Sequence, residues 1–167
     1  MMSSIPAKFS ESALSAPDGF VPIPTADNVY DLTGPFYVAR RDGKFVIGIH
    51  VDERHRERLN GLYGSMLSVL AGSGLTYATT HLAHPAFRAL PTIVSVKIEP
   101  FANIGEWVEA RVESVRVDNR EGLATSPFGG ADKQIGGSAT STCTFWSNGE
   151  PIGHASATFR ILRANEA

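Results

Sequence analysis

The chain has 167 residues, 43% of them hydrophobic, the size of one ordinary domain with enough apolar material for a core. Its formal net charge of −2 gives no electrostatic footprint for nucleic acid or an anionic membrane. A single cysteine, Cys143, excludes an internal disulfide and, without Cys/His ligand pairs, a structural zinc site, so no metal is expected.

In chain order, residues 1–19 are rich in Ser, Ala and Pro without periodicity and read as a flexible N-terminal arm, with one domain over 20–165. The arm lacks the basic start and apolar core of a signal peptide, and the chain holds no run of about 18 apolar residues, so a cytoplasmic location is expected. "FVPIPTADNVYDLTGPFYVARRDG" carries Pro22, Pro24 and Pro35, which predicts extended pieces around a short helix or turn. "KFVIGIHV" alternates, with Phe45, Ile47, Ile49 and Val51 on one strand face. The charges of "DERHRER" follow. From Ser65 to about Leu82 the apolar positions Leu67, Leu70, Ala71, Gly74, Ala78 and Leu82 recur with helical period. Gly72 and Gly74 each cost such a helix about 1 kcal/mol relative to alanine, so a flat contact face under a close-packed sheet is the expected reason for them.

Pro85 disfavours helix at His84 and ends the segment. Beyond Pro91 everything reads as strand and turn. "TIVSVKI" alternates, and "EWVEARVESVRV" is long enough to need a bulge where its phase changes near Ser114. "GSATSTCTFW" and "IGHASATFRIL" flank Asn148-Gly149, a strong hairpin signal. The glycine-rich stretch between, residues 119–137, reads as a mobile connection. The order predicts an α+β architecture in which an antiparallel sheet covers one long helix.

From about Phe20 to Leu162 this pattern resembles the hot-dog-fold acyl-CoA thioesterases of the phenylacetate-pathway type. In that family a strand is followed by H-x-N-x-x-G-x-x-H-G-G-x-L, with an acidic residue eight positions after the first glycine of H-G-G. "HRERLNGLYGSML" places His55, Gly64, Met66 and Leu67 in register. "FANIGEWVEARVESVRV" is similar to the family's P-A-x-x-G-[DE]-x-[VI] segment, and "NGEPIGHASATFRIL" to its closing hairpin. The resemblance implies a hot-dog fold, a thioester carbonyl polarised by the backbone amide at Gly64, and a carboxylate, contributed by one subunit, acting as base or nucleophile.

Four positions depart from the motif. Glu57 stands for its Asn, Asn60 for a Gly, Tyr63 for the His and Ser65 for the second Gly of H-G-G. Most consequential, Gly72 stands at the acid, and glycine can serve neither as base nor as nucleophile. The electrophilic half of the site survives, because the first amides of a helix beginning near Tyr63 or Gly64 have no intrahelical partner. The candidate site is therefore Tyr63, Gly64, Glu57 and Ser65, with Gly72 at the position of the missing acid.

Each polar candidate has an alternative structural role. Glu57 can be a solvated loop charge, His55 can satisfy a turn, and Tyr63 can either offer a hydroxyl or pack over the helix start. Ser65, Ser68 and Ser73 need an adjacent base to be nucleophiles, and no Ser-His-Asp arrangement is legible. His81, His84 and His154 read as helix-end and strand-surface residues, and Cys143 as a small core residue. Arg116, Arg120 and Lys133 read as scattered surface charge that could meet a nucleotide.

Two functions follow from the resemblance. One is a divergent acyl-CoA thioesterase with atypical catalytic residues; the other is a non-catalytic module that binds an acyl thioester or another small ligand. A hydratase is disfavoured, because the helix carries no acid and its single histidine, His81, lies at the far end. No cofactor is expected beyond coenzyme A as part of the substrate. The open sheet edge of a one-layer fold predicts a homodimer, which the family often extends to a dimer of dimers.

Overall fold

The computed structural model describes residues 15–24, 32–56, 64–82, 87–99, 102–118 and 135–163. They form strands β1 (Val21–Pro22), β2 (Tyr37–Arg41) and β3 (Lys44–His50), helix α1 (Gly64–Leu82), and strands β4 (Phe87–Ile98), β5 (Trp107–Asp118), β6 (Ile135–Ser147) and β7 (Glu150–Arg163). All strands join one antiparallel sheet in the order β1-β2-β3-β5-β6-β7-β4, with α1 on one face.

Alternation decides which side chains meet the helix. Phe45, Ile47 and Ile49 on β3, Val108, Ala110 and Val112 on β5, and Ala139, Cys143 and Phe145 on β6 are all buried in one core with Leu67, Leu70, Ala71, Leu75 and Ala78 of α1. The small residues of α1 bring the layers close: a Cβ on Gly74 would lie 3.3 Å from Ile47 Cβ. The expected bulge is present, since the β5–β6 register shifts between Val112 and Ser114, leaving Glu113 exposed. Asn148 and Gly149 turn the β6–β7 hairpin, both with positive φ.

Three boundaries differ from the sequence reading. Strand β4 begins at Phe87 and runs through Pro91, beside a register shift between Pro91 and Ile93. Among the described residues β4 pairs only with β7, and proline is tolerated on such an edge because the missing N–H would face away from the ladder. Gly137, expected in the connection, pairs with Ile161 inside β6. Leu82, expected on the core face, is 52% exposed because it is the last residue of α1. The rest of the connection, residues 119–134, lies outside the described residues.

The sheet face away from α1 carries a second, smaller packed region that periodicity does not reveal. Gly48 leaves a slot for the Trp107 ring, whose neighbours are Phe20 at 4.9 Å and His50 at 4.7 Å between ring centroids. Trp107 Nε1–H donates to buried Glu109 at 3.1 Å, and Arg41 and Arg111 donate to the same carboxylate. Residues 15–20, partly expected in the arm, hold this region through a turn in which Phe20 N–H donates to Pro17 O and through Ser15 O, 3.2 Å from His50 Nε2.

Candidate functional site

Helix α1 runs antiparallel to the edge strand. Its first residue, Gly64, lies against Ile98, and near its far end Thr80 Oγ1 accepts from the Ala89 N–H at 3.4 Å. Gly64 is half-buried, and a Cβ built on it would stand 2.8 Å from Ile98 Cδ1. Glycine therefore lets the helix start sit directly on the end of β4.

Along the face of α1 turned away from the core stand Ser65 and Ser68, both exposed, then Gly72 and Thr76, half-buried. A Cβ on Gly72 would meet nothing within 4 Å, so this position opens onto free space. The first turn of α1 contains no acidic residue. Ser73 Oγ donates back to Val69 O at 2.7 Å, so this hydroxyl is spent on the helix itself. Glu57 and Tyr63 lie outside the described residues, as do Asn60, His84, Arg120 and Lys133.

His55 is a structural residue, the second of the two roles its sequence context allowed. It is 2% exposed; its Nδ1 accepts the Asp52 N–H at 3.0 Å, which leaves Nε2–H to donate to Thr33 O at 2.8 Å. Beside it Arg54 bonds Asp52 Oδ2 and Gly34 O, both at 2.6 Å, so two side chains clamp this turn to residues 33 and 34. Burial pushes the Asp52 carboxyl up, but hydrogen bonds from the Arg54 side chain and amide outweigh it and hold the group below its ordinary value.

The remaining candidates fall where their alternation placed them. Cys143 is buried in the core, and desolvation pushes its thiol up to about 12, so it is no nucleophile at neutral pH. His81 is exposed near the end of α1, stacked on Tyr77 at 3.9 Å, and His154 and Arg116 are exposed on strands. Among the described residues no group of three or more His, Cys, Asp or Glu could hold a metal ion, and no helix is long and apolar enough to cross a membrane.

Of the predicted site, the structure places Ser65 and Gly72 on the outward face of α1, whereas Gly64, its first residue, lies against Ile98. Sequence reasoning missed Ile98, which touches the helix start. Its strand alternation was legible, but its contact with Gly64 depends on how α1 packs against β4.

No protein-family model matches the chain. A Pseudomonas aeruginosa protein named "Putative esterase PA0474" is 25% identical over 124 residues, covering 73% of this chain and 92% of its own. A mutant of the phenylacetic acid degradation protein PaaI from Thermus thermophilus superposes with a TM-score of 0.59 at 19% identity, over 81% of this chain and 97% of that one. A hypothetical thioesterase from Streptococcus pneumoniae, solved with coenzyme A, gives 0.58 at 11% identity, over 88% and 98%. With a seven-stranded antiparallel sheet wrapped on one long helix among the described residues, the chain has the hot-dog fold of these solved structures.

Proposed function

We propose that the protein binds an acyl-CoA thioester between two copies of itself, with the Gly64 amide receiving the thioester carbonyl, and that hydrolysis is slow because Gly72 supplies no base. The observation that carries this is the open face of α1, which keeps a glycine at its first residue and presents empty space where the resembled family has its acid. The similar thioesterase structure from Streptococcus pneumoniae, solved with coenzyme A, supports the ligand class.

The chemistry follows from what the helix start can do. Its free amides and dipole favour the negative charge that gathers on a carbonyl oxygen when water adds to the carbon, an effect worth about 3 kcal/mol per donor in a transition state. Water must lose a proton as it attacks, and the departing thiolate must gain one. A carboxylate at position 72 could move that proton, but Gly64 and Gly72 lie eight residues apart, about 12 Å along the helix. That is too far for a side chain at 72 to serve its own Gly64 amide, so a complete site pairs one copy's helix start with position 72 of another.

Strand β4 offers the seam for that pairing. It is the edge of the sheet, and Leu90, Ile93 and Val94 on it are 49%, 62% and 38% exposed. Such an edge with apolar side chains invites a second copy to continue the sheet. A dimer is the minimum assembly this reading needs, and sedimentation showing only monomer at micromolar concentration would overturn it.

The test combines binding and rescue. Calorimetry should detect acyl-CoA binding, and Gly72→Asp should raise turnover at least tenfold, a fraction of the roughly hundredfold to ten-thousandfold that well-placed general-base assistance typically contributes. Brisk wild-type hydrolysis lost in Tyr63→Phe or Glu57→Gln would instead establish a relocated catalytic group. Binding without turnover in both wild type and Gly72→Asp would favour the non-catalytic module, and absence of binding would defeat both.

A further inference from the structure

We propose that the sheet face away from α1 carries a binding site for a phosphate-type oxyanion, held between the guanidinium groups of Arg41 and Arg111. It lies on the opposite side of the sheet from the thioester site and does not rest on that reading. Its frame is buried Glu109, which accepts from Arg41 Nη1 at 3.0 Å on Oε1 and 2.9 Å on Oε2. The same carboxylate accepts from Arg111 Nε at 2.9 Å on Oε2 and from Trp107 Nε1 at 3.1 Å on Oε1. One arginine is enough to neutralise a buried carboxylate, and the indole already supplies a further donor, so the second arginine brings charge that Glu109 does not cancel. Strand pairing adds a third cation, because Lys44 stands opposite Arg41 across the β2–β3 ladder and shares its face.

The pair is both fixed and open. Because Arg41 Nη1 and Arg111 Nε bond the same oxygen, the two guanidiniums are held side by side despite their like charge. Each also packs on an aromatic ring: Arg41 lies over Phe20 at 5.1 Å and Arg111 over Trp146 at 4.3 Å from the centroid. A guanidinium carries its N–H groups in a rigid fork, and Glu109 engages only Nη1 of Arg41 and Nε of Arg111. The side chains of Arg41 and Arg111 are 44% and 39% exposed, against 8% for Glu109, so the carboxylate sits at the bottom of the cluster and the arginines reach solvent. Two forks held on fixed partners have little rotamer freedom left to lose, and a tetrahedral dianion has oxygens enough to meet both. Two exposed carboxylates flank the pair, Asp42 in the β2–β3 turn and Glu113 after the β5 bulge. Glu113 accepts from Thr144 Oγ1, and its repulsion of an anion acts through water.

Tryptophan fluorescence reads the site directly, because both tryptophans of the chain, Trp107 and Trp146, belong to this cluster. The full chain is titrated with inorganic phosphate, pyrophosphate and ADP, at an ionic strength held constant with sodium chloride. We expect a saturable change with phosphate and tighter binding of pyrophosphate. Both should weaken by about tenfold or more in Arg111→Gln and in Arg41→Gln, the loss of one charge-assisted hydrogen bond. Arg111→Gln leaves Glu109 its bonds to Arg41 and Trp107, so it should keep the wild-type circular dichroism spectrum; if it does not, Arg111→Lys carries the test. That variant keeps a charge and loses the fork, and should bind phosphate less tightly than wild type. Arg116→Gln, exposed on the same strand beyond the pair, should match wild type. ADP binding no tighter than pyrophosphate supports a site for the phosphate group alone, and tighter binding of ADP supports one for a nucleotide. No saturable change in wild type with any of the three, or a response undiminished in Arg111→Gln and Arg111→Lys, overturns the site.

Discussion

Gly48 is a glycine because Trp107 occupies its side-chain space: an added Cβ would lie 2.0 Å from the ring. The ring cannot shift cheaply, since Phe20 and His50 pack on it and Glu109 accepts its N–H. Gly48→Ala should therefore destabilise the fold by at least the ~1–3 kcal/mol typical of overpacking, read as a lower urea midpoint. Cys143 makes the opposite kind of prediction. Buried, with its thiol pushed up to about 12, it should resist a thiol reagent in the native protein and react fully once urea unfolds the chain.

At the scale of elements, two glycines of α1 have different reasons. A Cβ on Gly72 meets nothing within 4 Å, whereas one on Gly74 meets Ile47 at 3.3 Å. Gly72→Ala should stabilise by roughly the 1 kcal/mol of helix propensity, while Gly74→Ala should lose that gain to the crowded Ile47; a pair of denaturation curves compares them. The sequence treated these glycines alike, because period fixes a helix face but not the distance to the sheet. What period and turn chemistry control was legible: α1, the inward face of β3, the Asn148-Gly149 hairpin and the bulge before Ser114. What tertiary pairing controls was not. The early start of β4 through Pro91 becomes tolerable only at a sheet edge, and the Trp107–Glu109 cluster unites residues from β2, β3 and β5 with the chain's first described segment. The candidate site divides in the same way: the motif's register pointed to Gly64 and Gly72, while the packing of Ile98 against Gly64 depends on the tertiary structure.

Across the whole molecule, acid should loosen the fold through carboxylates that knit distant segments. Burial raises Glu106, but the Asn103 side chain and amide and Ser147 Oγ donate to it and hold it below its ordinary 4.5. A carboxylate whose folded pKa lies below its unfolded one stabilises the native state above the unfolded pKa, and that contribution is lost as pH falls through the folded value. Asp52 has the same sign. Stability should thus decline below about pH 4.5, and Glu106→Gln should be weaker at neutral pH with a shallower acid decline, by urea titration at several pH values. The sheet order carries one more consequence, for synthesis. Strand β4 leaves the ribosome directly after α1, yet its partner among the described strands is β7, the last to be made. Until residues 150–163 emerge, β4 has both edges open and α1 lacks the part of its floor that β7 supplies. The growing chain therefore holds β4 unpaired from its completion at Ile98 until β7 begins at Glu150, about a third of the sequence.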